Sequence, residues 1–67
     1  MTVVVLAADW HSGVDPVPYY STDPDGCLDF SSRPLIPRAR LQARAAAQMV
    51  DCEHGVRYDV VICESLS

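Results

Sequence analysis

Lysine is absent from this chain of 67 residues. Its five arginines stand against nine acidic residues, for a net charge of −4. A negative surface repels phosphate, so contact with nucleic acid or an anionic membrane over the whole surface is disfavoured.

Long apolar runs are absent too. The run that begins at Thr2 stops at Asp9, far short of the roughly 18 residues of a membrane-spanning helix. No arginine or lysine precedes Arg33, which does not fit a secretory signal, and we expect a cytoplasmic protein.

Cysteine is sparse, with Cys27, Cys52 and Cys63 only. An odd number makes a poor disulfide framework, and cytoplasmic thiols stay reduced, so the sequence predicts three free cysteines. Zinc usually takes four ligands from two closely spaced pairs. Only Cys52 and His54 are close in sequence, and His11 is far from both, so we predict no metal and no other cofactor.

Catalytic motifs are also missing. A cysteine paired with a histidine can act as a nucleophile, but no nucleophile motif surrounds Cys27 or Cys52, and their spacing to His11 or His54 does not bring the side chains together. A sheet covered by one helix also offers little concavity, whereas a substrate needs a pocket of roughly 300 Å³ or more. We therefore expect that the protein is not an enzyme.

The composition that is present favours a folded chain. Hydrophobic residues make up 49% of the sequence and charged residues 21%, proportions typical of a globular domain. The length allows one compact domain, residues 1–67. A chain this short buries only about 60% of its unfolded surface, so its stability should be a few kcal/mol.

The first half of the chain has the pattern of strands and turns. The run Thr2–Ala8 is rich in β-branched residues and apolar on both faces, which predicts a central strand covered on both sides. Residues Asp9–Val17 show no period and are expected to form a loop, and Pro18–Thr22 a short edge strand. Asp23–Gly26 has the residues of a tight turn, which predicts a hairpin whose second strand is Gly26–Ser31.

The second half has the pattern of a helix followed by a strand. Residues 38–52 are nearly all good helix formers, and Pro37 suits the first helical turn. On a helical wheel the polar residues form one narrow sector, as on a helix that lies on a sheet. Gly55 would end this helix, and Arg57–Glu64 would form the last strand. The predicted fold is α+β, a three- to four-stranded mixed β-sheet packed by one α-helix in the order β-β-β-α-β, with a right-handed crossover between the last two strands.

Charge is segregated along the chain. The segment between Asp29 and Asp51 contains no acid but holds four of the five arginines, namely Arg33, Arg38, Arg40 and Arg44. These arginines could pair with acidic loop residues, each pair contributing less than about 1 kcal/mol: Asp15, Asp23, Asp25 and Asp29. Alternatively, they could recognise a carboxylate-rich protein, a phosphate backbone or the acidic face of a second copy.

An aromatic loop is the other candidate for recognition. Trp10 directly follows the first strand and is expected in the core. Tyr19 and Tyr20 follow Pro16 and Pro18, which stiffen the backbone and lower the ordering cost of a binding loop. Tyrosine is common at the energetic centre of protein interfaces, so these two side chains could lie either in the core or in an interface.

These features lead us to expect a small protein-interaction module, an accessory or inhibitory protein of the kind that viruses and mobile elements encode, which occupies the surface of a partner protein. The partner's identity cannot be read from the sequence. The predicted contact residues are Arg33, Arg38, Arg40, Arg44, Tyr19 and Tyr20. A structural subunit of a larger assembly, including a homo-oligomer, is the alternative, and weak nucleic-acid binding through the arginines is the second alternative. No membrane contact is expected.

Overall fold

The computed structural model describes residues 1–31 and 34–66, in which β-strands predominate and the helical part is small. Strand β1 spans Thr2–Leu6 and runs directly into helix α1, Ala7–His11. Strands β2, Ser21–Thr22, and β3, Leu28–Asp29, are short. A 3-10 turn at Arg38–Arg40 precedes the two long strands β4, Leu41–Asp51, and β5, Val56–Ser65. The fold is therefore a small β-rich α+β fold, which agrees with the predicted class at that coarse level.

The strands form two antiparallel sheets that are joined at their margins. One sheet has the order β1-β5-β4, and the other consists of β2 and β3. A bridge between Val4 and Tyr20 connects β1 to the beginning of β2, and a parallel bridge between Cys27 and Val50 connects the beginning of β3 to β4. The pairings thus run in a ring, from β1 through β2, β3, β4 and β5 back to β1.

The predicted helix over residues 38–52 is wrong. Residues 41–51 form β4, which pairs with β5 from Leu41 opposite Ser65 to Asp51 opposite Val56. The predicted right-handed crossover from the strand at 26–31 to the strand at 57–64 is wrong for the same reason, because the chain between them forms strand β4 and the two strands lie in different sheets. The alanines prefer a helix, but β4 pairs along its whole length with β5, which is rich in β-branched residues. This pairing overrides the helix propensity, because intrinsic propensity is a weak determinant in a tertiary context.

A β-bulge at Arg44 explains how one strand contacts two separate hydrophobic clusters. Ala43 lies opposite Cys63 and Ala45 opposite Ile62, so Arg44 is an extra residue in β4. Since alternate residues point to opposite faces, one extra residue transfers the following side chains to the other face. Leu41, before the bulge, packs in the first cluster, whereas Met49, after it, packs against the second.

Both faces of β1 are buried, as predicted. The first cluster consists of buried side chains from four strands or loops: Val3, Val5, Val17, Leu41, Val61 and Cys63. The second contains Val4, Leu28 and Val60, from β1, β3 and β5. However, β1 is not the central strand. That position belongs to β5, whose predicted strand, Arg57–Glu64, is confirmed with slightly wider bounds.

The remaining predictions for the first half are partly confirmed. The turn at Asp23–Gly26 and its hairpin are present, with the Gly26 backbone N–H donating to the Asp23 carbonyl at 3.0 Å. The predicted loop from Asp9 instead begins within α1, whose end is held by the Ser12 hydroxyl donating to the Asp9 carbonyl at 2.7 Å. Trp10 packs against the first cluster, in keeping with its predicted core position.

Candidate functional site

An aspartate organises the turn of the β2–β3 hairpin. Oδ1 of Asp23 accepts hydrogen bonds from the backbone N–H groups of Asp25 at 3.0 Å and Cys27 at 2.8 Å. Gly26 closes the turn with a φ of 81°, a conformation that glycine adopts without steric cost. This short network fixes the position at which the Cys27 side chain leaves the backbone.

A second aspartate organises the β4–β5 turn in the same way. Asp51 is only 4% exposed, and its Oδ1 accepts hydrogen bonds from the backbone N–H groups of Glu53 at 2.9 Å and His54 at 3.2 Å. Its Oδ2 lies 2.5 Å from Nδ1 of His54, whose side chain is largely exposed. Gly55 completes the turn with a φ of 67°, so the glycine that was predicted to end a helix is needed to turn a hairpin.

A disulfide between Cys27 and Cys52 joins the two turns, with a Cα–Cα distance of 5.5 Å that lies in the usual range. The prediction that all three cysteines are free is therefore wrong for two of them. Cys63 is the free one, buried in the first cluster. Burial raises the pKa of its thiol, and a buried thiol in apolar surroundings is chemically inert.

A groove of about 570 Å³ opens beside this disulfide. We call it the disulfide groove, and its lining includes both cysteines and a set of ionisable side chains, namely Asp23, Asp29, Asp51, Glu53 and His54. The expectation of little concavity is thus wrong, because it relied on a helix that does not form. Carboxylates outnumber the single imidazole in the lining, so the groove favours cations over anions.

A row of aromatic rings continues from the groove. Phe30 lines the groove and is 40% exposed. Its ring centroid lies 4.9 Å from that of Tyr20 and 5.3 Å from that of Tyr58, in tilted arrangements that aromatic pairs prefer. Partial burial is the main reason that the pKa of Tyr20 is raised, with smaller contributions from Asp9 and Tyr58.

The predicted arginine surface does not form on a helix, since that helix is absent. Arg38 lies with its guanidinium 4.8 Å above the Trp10 ring, and its backbone N–H donates to Asp15 Oδ1 at 2.7 Å. Arg44 donates through its Nε and a terminal nitrogen to one oxygen of Glu64, at 3.0 and 2.7 Å. Arg40 is exposed and has no ion pair among the described residues. Arg33 lies outside the described residues.

The two predicted tyrosines point to different places. Tyr19 is partly buried against the first cluster, and Tyr20 against the second. Consecutive side chains of an extended segment alternate in direction, so these two tyrosines do not form one contact surface. Whether any of the predicted arginines or tyrosines meets a partner stays a prediction.

The disulfide groove is not among the features that the sequence predicts, although a signal for it exists. Two short segments each start with an aspartate and contain a glycine three or four residues later, and each carries one cysteine beside or within the turn: Asp23–Cys27 and Asp51–Gly55. Matching turns of this kind at the ends of two hairpins are good candidates for cross-linking. The sequence alone did not show that the two turns meet in space.

The edge of β4 is the second unusual surface. Its residues 42–46 are exposed in succession, rather than alternately. Within residues 1–31 and 34–66, the backbone of β4 before Val50 pairs with β5 alone, so its outer margin has no strand beside it. Three of these five exposed residues are alanines, which leave the backbone sterically accessible.

The Asp51–His54 pair predicts a measurable dependence on pH. The hydrogen bond to Asp51 raises the pKa of His54 above 6.5, and the hydrogen bond to His54 lowers the pKa of Asp51 below 3.8. The contribution of His54 to stability is therefore present below pH 6.5 and lost as the pH rises through its folded pKa. The contribution of Asp51 to stability is present above pH 3.8 and lost as the pH falls through its folded pKa. NMR titration of the imidazole should give a lower pKa for His54 in Asp51→Asn, and equal values in the two proteins would contradict the pairing.

Comparison with protein-family models, with curated proteins and with solved structures gives no match to this chain. Within the described residues, none of the helical segments has the length and apolar character needed to cross a membrane. The disulfide groove and the β4 edge are therefore the features from which a function can be inferred.

Proposed function

We propose that the protein is a small interaction module that receives an extended segment of a partner protein along the outer edge of β4. The observation that carries this proposal is the run of exposed residues 42–46 beside an outer margin that no described strand covers. An open strand edge presents a row of unpaired N–H and C=O groups, which is a template for another strand. Partner binding by strand addition uses such an edge.

Two of the usual protections of an edge strand, lysine and proline, are missing from β4. Natural edge strands are commonly blocked by lysine, proline, inward-pointing charges or bulges. The chain contains no lysine, β4 contains no proline, and its one bulge is the one at Arg44. The exposed alanines would let a second backbone approach to the normal interstrand distance of about 4.8 Å.

Charge at this edge favours an acidic partner segment. Arg40 is exposed just before β4 and has no ion pair among the described residues. Arg44 lies within the edge, with its charge already shared with Glu64. An acidic side chain in the partner could bind the Arg40 guanidinium through two parallel hydrogen bonds. The nucleic-acid alternative requires several free arginines on one face, and it has less support because Arg38 and Arg44 are engaged within the chain.

Two proline substitutions at neighbouring positions test the proposal, and each is the control for the other. Along a strand, successive backbone N–H groups point alternately to the two neighbouring sides, so one of Ala45 and Ala46 donates towards β5 and the other outwards. Proline at the outward position should leave the melting temperature nearly unchanged, and proline at the inward position should lower it. The melting temperatures of Ala45→Pro and Ala46→Pro identify which is which.

The stable proline variant then serves as the binding probe. Extended peptides selected from a random library on the wild-type protein should be acidic, and should slow hydrogen exchange at the outward amides of β4. The stable variant should bind them at least about tenfold more weakly, since it loses a backbone bond and gains a steric block. Arg40→Glu should weaken the binding of the same peptides. Unchanged binding by the stable proline variant would refute strand addition, and concentration-dependent light scattering without a peptide would assign the edge to a second copy instead.

A further inference from the structure

Three metal-ligand side chains converge at one end of the disulfide groove. The carboxylate of Asp23 and the sulfurs of Cys27 and Cys52 all lie within 4.8 Å of one another. The backbone around two of them is already fixed, because Asp23 Oδ1 accepts the Cys27 N–H at 2.8 Å. The second carboxylate oxygen of Asp23 has no hydrogen bond to the described residues, so it is available to a ligand.

We propose that this cluster binds one Zn²⁺ ion when the Cys27–Cys52 disulfide is reduced. A dithiol reductant supplies two electrons and two protons: the sulfur–sulfur bond breaks, two thiols form, and the reductant becomes a disulfide. Zn²⁺ then replaces the two thiol protons, which pass to solvent, and binds both thiolates and the Asp23 carboxylate. A water molecule completes the four-coordinate geometry that zinc prefers.

The dimensions of the cluster suit zinc. Zinc–sulfur bonds of about 2.3 Å at tetrahedral angles place two sulfurs about 3.8 Å apart, so the cysteines need only a small separation after reduction. Their Cα atoms, 5.5 Å apart, need not move far. Soft thiolates with one carboxylate select zinc over magnesium or calcium, which prefer oxygen ligands alone.

Access and charge also favour a cation here. Cys52 is exposed, and the groove beside it is open to solvent. Asp51 and Glu53 line the same groove and lower the electrostatic cost of bringing in a divalent ion. The site is separate from the outer edge of β4 before Val50. Zinc binding would therefore be a second activity, independent of strand addition.

Cobalt titration of the phosphine-reduced protein without oxygen tests the proposal. Co²⁺ should bind one ion per chain and give a thiolate-to-cobalt charge-transfer band together with the intense visible bands of tetrahedral cobalt. One equivalent of Zn²⁺ should abolish both sets of bands. The oxidised protein should show neither, because its sulfurs are bonded to each other. Absence of the charge-transfer band in the reduced wild type would overturn the proposal.

Matched variants assign the ligands. Cys52→Ser should lose the charge-transfer intensity of one thiolate and most of the affinity, whereas Cys63→Ala should leave the spectrum unchanged, since Cys63 belongs to the first cluster. Asp23→Asn keeps an oxygen acceptor for the turn but removes the anionic ligand. It should lower the affinity for zinc by at least about tenfold. Equal affinity of Asp23→Asn and the wild type would exclude the carboxylate from the site.

A measurement on the unaltered chain guards against variants that fail to fold. Zinc should slow alkylation of Cys27 and Cys52 in the reduced wild-type protein, as read by mass spectrometry of the labelled peptides, and should raise its melting temperature. Equal alkylation rates with and without zinc would refute the site, whatever the behaviour of the variants.

Discussion

Replacing Cys27 and Cys52 together by serine should lower the free energy of unfolding by about 3.5 kcal/mol in metal-free buffer. The disulfide links residues separated by 25 positions, and a closed loop of this length restricts the unfolded chain by about that amount in the loop-entropy account. For a domain of this size, whose total stability is expected to be a few kcal/mol, the loss is most of the margin. Urea denaturation followed by Trp10 fluorescence measures it.

Reduction of the wild-type protein provides the control for the serine variant. A phosphine should move the urea midpoint of the wild type to that of the variant, and should leave the variant where it is. A variant as stable as the oxidised wild type would show that the ring of strands does not need the cross-link. A variant that responds to the phosphine would show that the effect lies elsewhere.

Local patterns predicted those elements whose interactions are local or that are buried on both sides. The turn at Asp23–Gly26 is set by Pro24 and Gly26 within four residues, and it is present. The β-branched runs of β1 and β5 have few other stable conformations, and both are strands with two covered faces. In each case the deciding interaction could be seen within a short window of sequence.

The helix prediction failed because two periods coexist in the same segment. A wheel places Arg40, Arg44 and Gln48 in one sector, but Gln42, Arg44 and Gln48 also fall on every second position with the exception of Ala46, as in a strand. Alanine is the best helix former, but intrinsic propensity is readily overridden by tertiary context, and the segment by itself does not reveal the free energy gained by pairing with Val56–Ser65. The bulge at Arg44 disguised the alternation further by moving later side chains to the other face.

The candidate site could not be predicted because it is made by contacts between distant segments. The number and spacing of the cysteines say nothing about whether the two turns that carry Cys27 and Cys52 meet, as they do beside the bridge from Cys27 to Val50. The predicted arginine surface requires a helix. Once β4 is a strand, Arg44 reaches Glu64 on its neighbour strand, and the open backbone edge becomes the more unusual feature.

Leu28→Ala should lower the free energy of unfolding by about 2–5 kcal/mol, the cost of removing a buried leucine side chain. Leu28 is only 5% exposed and packs with Val4 and Val60 in the second cluster. Strand β3 is two residues long, so its backbone pairing is slight, and the burial of this one side chain together with the disulfide holds the β2–β3 hairpin in the ring.

The matched control is Leu35→Ala, because Leu35 is 58% exposed and its truncation should change stability by no more than about 0.5 kcal/mol. Both variants should be compared by urea denaturation with the disulfide intact, since the cross-link keeps the weaker protein folded enough to measure. If Leu28 contributes no more than Leu35, the ring of strand pairings is not what stabilises the fold. In that case the β4–β5 hairpin with β1 must be stable without the rest, and hydrogen exchange should then show protected amides in that sheet alone.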